Sequence, residues 1–284
     1  MPNLRDIRRR IRSVKTTEQA TRAMKIVASA KVRRAKDRLM AARPYAIRMN
    51  QVLASLAARA NPEEHPLLRT RGVEKIELLV LTGDKGLCGA FNANIIKRVS
   101  AFMEESRGRV LSLHLVGRKG RDYFRRRATK ISGEYVDVFR HVEYAHAARI
   151  ATDLIQRYTT QDLDAVFLLY NEFKSIIQQR VVVEQLLPIP RLEHEGPLAV
   201  QDYIYEPEAR RLLDGLLPKH VEYQILRALL ESSAAEFAAR MTAMEAATRN
   251  ADEMIESLTL QMNRIRQASI TREIIEVVSG AEAL

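Results

Sequence analysis

Two long stretches constrain this chain more than anything else in it. From Leu4 to Leu56 there is no glycine and Pro44 is the only proline; from Val221 to Val278 there is neither. Both carry apolar or small residues on a seven-residue repeat, the pattern of a helix with one buried seam. In the first stretch one column is Ile7, Val14, Thr21, Ala28, Ala35, Ala42, Met49 and Leu56. The other is Ile11, Glu18, Lys25, Val32, Leu39, Ala46 and Leu53, and only Glu18 and Lys25 break the seam. In the second stretch the columns are Tyr223, Leu230, Phe237, Met244, Ala251, Leu258 and Ile265, with Ala234, Met241, Thr248, Ile255, Met262 and Ser269. At ~1.5 Å per residue, about 50 helical residues reach roughly 75 Å, deeper than any compact core. Much of such a helix must stand outside its own domain. Pro44 removes a backbone donor and is expected to kink the first helix. The two helices bracket the rest of the chain, so they can lie antiparallel, each burying the other's seam; a parallel homodimer is the alternative.

The segment between them changes character. Asn61–Gly72 (NPEEHPLLRTRG) reads as a linker. Apolar runs at 76–81, 110–116, 164–173 and 179–188 read as strands, and helical spacing appears at about 92–106, 118–127 and 144–159. Strands alternating with helices predict an α/β, Rossmann-like domain over 73–205, flanked by helical segments at 1–60 and 208–284. Residues 188–197 (PIPRLEHEGP) form a proline-rich connection. Gly215 and Pro218 are expected to break a short helix off the start of the last segment.

Charge is unevenly placed. The net charge is +11. Residues 1–60 hold 16 Lys and Arg against 3 Asp and Glu, and the rest of the chain holds 30 against 32. Arg8, Arg9 and Arg12, then Lys31, Arg33 and Arg34, line a basic face that calls for an acidic partner. Nucleic acid is one candidate, but Tyr45 is the only aromatic in the run and stacking residues are missing. The single cysteine, Cys88, excludes an intrachain disulfide and a multi-cysteine zinc site. No apolar run is long enough for a membrane span. The basic N-terminus lacks the apolar core of a secretory signal; it has the look of a transit peptide, but the pattern carries on as an ordinary helix.

Thr82–Asn92 (TGDKGLCGAFN) sits between a strand and a helix, where phosphate-binding loops sit. It matches neither GxxxxGK[ST] nor GxGxxG, since Lys85 precedes Gly86 and Leu87 and Cys88 follow. Gly83, Gly86 and Gly89 are expected to serve the tight turn itself, and Cys88 to be a small packing residue. The histidines show no metal-ligand spacing, and no nucleophile–base arrangement stands out. The reading is of no catalytic residue, no metal and no cofactor. At the far ends of the seams, Ser13, Thr16, Thr17, Thr21 and Ala28 to Ala30, with Ser269, Thr271 and Ser279, make small polar surfaces suited to sliding contact.

Three motifs carry a resemblance across the whole chain: IRRRIRSVKTTEQATRAMKIVASAK, TGDKGLCGAFNANI, and MTAMEAATRNADEMI followed by NRIRQASITREIIEVVSGA. In these the chain resembles the γ subunits of bacterial F-type ATP synthases. Members commonly have Ser-Asp-Arg where this chain has Gly83-Asp84-Lys85. The resemblance implies a rotor shaft, an antiparallel coiled coil inside a ring of α and β subunits. The α/β domain would face the ε subunit and the c ring, one copy per complex, peripheral on the cytoplasmic face of the bacterial membrane. It implies that Met24, Arg240, Gln267 and Thr271 meet β loops, and that Tyr203, Tyr205 and Glu206 lie toward the c ring and ε. The redox device of the plant chloroplast branch needs a cysteine pair, which one cysteine cannot supply.

Overall fold

The computed structural model describes residues 4–57, 65–127, 129–190 and 209–282. Two compact units divide the chain, one made of 1–29 with 240–284 and one of 30–239. The first long stretch is α1 (Leu4–Ala57), one helix that passes through Pro44 unbroken, and the last is α5 (Ala209–Glu282).

In the first unit, the start of α1 and the end of α5 pack as an antiparallel pair. Thr21 meets Thr248 and Lys25 meets Glu245, so the partner number falls as the position on α1 rises. The seam is the one the heptads predict: Ile7 and Ala28 are buried, with Met244 and Ala251 opposite, and Ile11, Val14, Ile255 and Leu258 are half-buried. Between these columns residues 5–29 of α1 are exposed. Residues 266–279 of α5 are all exposed, and five of them are large apolar residues: Ile270, Ile274, Ile275, Val277 and Val278.

The second unit is a five-stranded sheet with helices on both faces. Its strands are β1 (Lys75–Leu81), β2 (Val110–Val116), β3 (Ile131–Tyr135), β4 (Ala165–Phe173) and β5 (Gln179–Leu187), ordered β3-β2-β1-β4-β5. The first four are parallel, and β5 closes one edge antiparallel to β4. Parallel strands need crossover helices, supplied by α2 (Phe91–Glu105), α3 (Arg118–Phe124) and α4 (Tyr144–Thr159). On α2, Phe91, Ile95, Val99 and Phe102 recur at helical spacing and bury against Ile76, Leu78 and Val80 on one face. Each such side chain contributes about 1.5–3 kcal/mol on full burial. The opposite face, Leu79 and Leu81, is covered by Ala147, Ile150, Leu154 and Tyr158 of α4. Met49, Leu53 and Leu56 of α1 and Leu213 to Leu229 of α5 complete that cover. β1 is thus buried on both faces, which is why it reads as an apolar run broken only by Glu77.

Three sequence expectations are corrected. Gly215 and Pro218 do not break the last segment: α5 is continuous from Ala209. Leu213, Leu217, Val221, Ile225 and Leu229 recur along one face and bury in the core, and this outweighs the donor that Pro218 lacks. β3 is a strand that the sequence reading missed; it is short and holds Ser132 and Gly133. Part of the linker also belongs to the core: Leu67 is buried, and its carbonyl accepts from Ile189 N at 2.8 Å.

Candidate functional site

The helix pair of the first unit holds a polar layer inside its seam. Thr21 Oγ1 and Thr248 Oγ1 lie 2.8 Å apart, one donating to the other, and the remaining hydroxyl proton goes to a carbonyl of its own helix, Glu18 O for Thr21 or Met244 O for Thr248. Lys25 Nζ donates to Glu245 Oε1 at 2.9 Å, and this bond holds the Glu245 carboxyl below its ordinary pKa. Arg22 lies 2.7 Å from the buried Glu18. The two residues that break the heptad therefore remain in the seam as members of ion pairs. The basic face lies outside it. Arg8, Arg9 and Arg12 are exposed, with Arg9 paired to Asp6. On the part of α1 in the second unit, Arg33 and Arg34 are exposed and Lys31 lies over the Phe237 ring.

The glycine loop joins β1 to α2, at the edge where the parallel strands end. A loop that binds phosphate needs backbone N–H groups free to point at it. Here a side chain takes the first of those donors. Gly83 N donates to Asn92 Oδ1 at 2.8 Å, and Asn92 Nδ2 donates to Lys85 O and Cys88 Sγ. The Asp84 carboxylate accepts from Arg118 N and Asp137 N, both at 3.0 Å, and from Phe139 N at 3.3 Å. It therefore occupies the position at the start of α3 that an anion would use. Gly89 has φ 55°, and Leu87 shares the left-handed region at 61° with its side chain exposed. A Cβ on Gly83 would come within 3.0 Å of the Glu236 side chain, whereas one on Gly86 would make only ordinary contact with Lys119. Cys88 is buried.

In a doubly wound sheet, ligands lie in the crevice where the strand order reverses, here between β1 and β4. In this chain α5 crosses that crevice. Glu236 packs on Gly83, Ser232 Oγ accepts from Asn171 N at 3.5 Å, and Ala235 is fully buried in the core. The arrangement makes a seat for a long helix.

One polar cluster was not found by reading the sequence. Glu77 and His114 are fully buried in β1 and β2. The Glu77 carboxylate accepts from Ser112 Oγ at 3.0 Å, from Ser132 Oγ, and from Arg157 Nη1 at 2.6 Å; His114 Nδ1 lies 3.0 Å away. Burial alone would raise its pKa, but hydrogen bonds from His114, Ser132 and Arg157 outweigh it and set the value at about 2. A Cβ on Gly133 would sit 2.3 Å from the His114 ring, so only glycine fits beside it. The available signal was the pair of polar residues interrupting otherwise apolar strands, in IELLVL and VLSLHLV.

The sequence model of the ATP synthase family matches residues 3–284. An ATP synthase gamma chain from Solibacter usitatus is 54% identical, over 100% of this chain and 99% of that one. One from Anaeromyxobacter sp. is 52% identical over the full length of both. The chain belongs to the ATP synthase γ-chain family. Among solved structures it is similar to a chain in the central stalk and c-ring structure of Tetrahymena thermophila mitochondrial ATP synthase. That match has TM-score 0.63 and 28% identity, covering 80% of this chain and 99% of that one. A rotor chain of the Euglena gracilis mitochondrial enzyme shares the fold at TM-score 0.67 and 18% identity, covering 94% and 98%.

Of the residues that the γ-chain resemblance singles out, Met24, Arg240, Gln267 and Thr271 all fall in the helix-pair unit. Met24 is 42% exposed, Arg240 is half-buried, and Gln267 and Thr271 are exposed, with Thr271 Oγ1 donating to Gln267 O. Tyr203, Tyr205 and Glu206 lie outside the described residues.

Proposed function

We infer that this chain is the central rotor shaft of an F-type ATP synthase, coupling ion-driven c-ring rotation to the catalytic cycle of the β subunits. The observation that carries the reading is the helix pair. Its seam is closed by its own two strands, so the rest of its surface is left for other chains. That surface is basic along α1 and apolar at the exposed end of α5. An apolar helix end of this kind suits an apolar collar, and the basic face suits acidic loops.

The mechanism follows from asymmetry. Two unlike helices present a different side at each angle, whereas a ring of β subunits repeats. Each orientation contacts the β subunits differently, and only such differential contact energy can shift one between open and closed states. Turning the shaft then moves binding, chemistry and release around the ring. Met24, Arg240, Gln267 and Thr271 are proposed to meet the β loops, and Tyr203, Tyr205 and Glu206 the c ring and ε subunit. The helices at 1–60 and 208–284 form the shaft, and 73–205 the domain that links it to the c ring. On this reading the chain has no catalytic site of its own and binds no cofactor. It sits peripherally on the cytoplasmic face of the bacterial membrane; no helix among the described residues is long and apolar enough to cross one. The alternative suggested by charge alone, a nucleic-acid-binding coiled coil, gains no support from the family.

The test is a single-molecule rotation assay. The chain is assembled with its α and β subunits, the ring is fixed to a surface, a probe is attached to the α/β domain, and MgATP is added. Stepwise rotation in thirds of a turn is expected. An ATP-hydrolysing complex with a stationary probe would make the chain a static scaffold.

A further inference from the structure

All four parallel strands start at the same edge of the sheet, so the residues just before them converge there. Between them lies a cavity of ≈ 300 Å³. Among the described residues it is lined by Lys75 and Val110 at the starts of β1 and β2, Ser112, Lys130 just before β3, Arg157 of α4, and Asp162 and Leu163 just before β4. The backbone under these side chains is fixed. Lys75 N donates to Asp164 Oδ2 at 2.7 Å, Lys130 O accepts from Leu113 N at 2.8 Å, and Asp162 N donates to Arg157 O at 3.0 Å.

The cations are incompletely used. Arg157 is only 23% exposed and spends one nitrogen, Nη1, on Glu77. Its Nε and Nη2 donors have no acceptor among the described residues. Neither Lys75 nor Lys130 has an ion pair there. These donors reach the cavity and are open to an acceptor from solution, and their fork matches the oxygens of a tetrahedral oxyanion. Asp162 in the wall and Glu77 behind Arg157 keep the net charge small, which suits one phosphate group rather than a polyanion.

We propose that this cavity binds a single phosphate group, with Arg157 as the half-buried fork and Lys75 and Lys130 as flexible charges closing on it. The group is either inorganic phosphate or the headgroup of an anionic phospholipid. The site is independent of the shaft reading, because the full chain alone can be tested for it.

The experiment has two arms. Equilibrium dialysis of the full chain with inorganic phosphate is run at fixed ionic strength. Co-sedimentation uses phosphatidylglycerol vesicles against phosphatidylcholine vesicles. Saturable binding in the first arm assigns free phosphate. Binding confined to phosphatidylglycerol, and lost with the lysines, assigns the headgroup. In either case Lys130→Glu and Lys75→Glu are each expected to weaken binding by about ten-fold or more, since a reversed charge faces the anion. Both lysines are exposed, so the variants are expected to fold, which thermal melting checks. No binding in either arm overturns the proposal. Binding that survives undiminished in both variants overturns it too, since the basic helix α1 would then be its source.

Discussion

A carboxylate sealed inside a parallel sheet is tolerable only when its oxygens are fully used, and Glu77 meets that condition through four residues on three elements, β2, β3 and α4. Its consequence is a pH dependence with a definite sign. An unfolded Glu77 takes up a proton near its ordinary value of 4.5, the folded one not until about 2. The stability it contributes is present above 4.5 and is lost as pH falls toward 2. His220 adds a second window. Burial, then Arg227, lowers its pKa from 6.5 to about 4. The unfolded chain therefore binds this proton first, and stability falls between pH 6.5 and 4, by about 1.4 kcal/mol per pH unit at most. Urea unfolding across pH is expected to show both losses. His220→Gln should flatten the upper window and leave the lower one; an unchanged profile would count against the His220 assignment. At Gly117 the constraint is steric. Its φ is 97°, and a Cβ would lie 1.9 Å from Thr82 O. Gly117→Ala should cost more than about 3 kcal/mol, seen as a large drop in melting temperature.

At the scale of elements, α5 is a helix that outlives two of its own residues. Pro218 lies inside it, where a proline costs about 3 kcal/mol relative to alanine in a helix interior. Pro218→Ala restores the missing donor, and the variant is expected to be more stable by about 1–3 kcal/mol in a urea titration. A result near zero would mean that the helix is already relaxed around the proline. In the helix pair, the threonine layer is where an apolar seam could have been. Replacing both Thr21 and Thr248 by valine removes both partners together, which is expected to be neutral or stabilising, whereas Thr21→Val alone leaves the Thr248 hydroxyl with Met244 O but with nothing across the seam. A double-mutant cycle read by thermal melting should show a coupling of about 1 kcal/mol between them. A coupling of zero would mean that the layer does not hold register.

At the scale of the whole molecule, function rests on what the helix pair leaves uncovered. Met24 lies outside the seam and is exposed, so Met24→Lys should leave the fold intact. It adds a cation to a surface that on the proposed reading passes acidic β loops, and would favour some orientations over others. In membrane vesicles carrying the assembled enzyme, ATP hydrolysis is expected to persist while ion pumping per ATP falls. Unchanged coupling would remove Met24 from the proposed β contact.

The sequence by itself determined the two long helices, the order of helix, α/β region and helix, four of the five strands, and the seam residues. It could do so because a repeat of seven or a continuous apolar run is a local record of which side of an element is buried. Glu18 and Lys25 stood out as breaks in that record; Arg22 lies one turn from Glu18 on the same helix, but Glu245, the partner of Lys25, was visible only once the helices were paired. The tertiary structure alone decided the rest. β3 is a strand because β2 offers it a ladder and because Gly133 clears the His114 ring. α5 runs through Pro218 because its apolar face is buried against α1, α4 and the sheet. The glycine loop is tied down because Asn92 takes the Gly83 N–H, Asp84 takes backbone donors of Arg118, Asp137 and Phe139, and α5 lies in the crevice beside it. Each of these depends on contacts between residues far apart in the chain, and no local pattern encodes them.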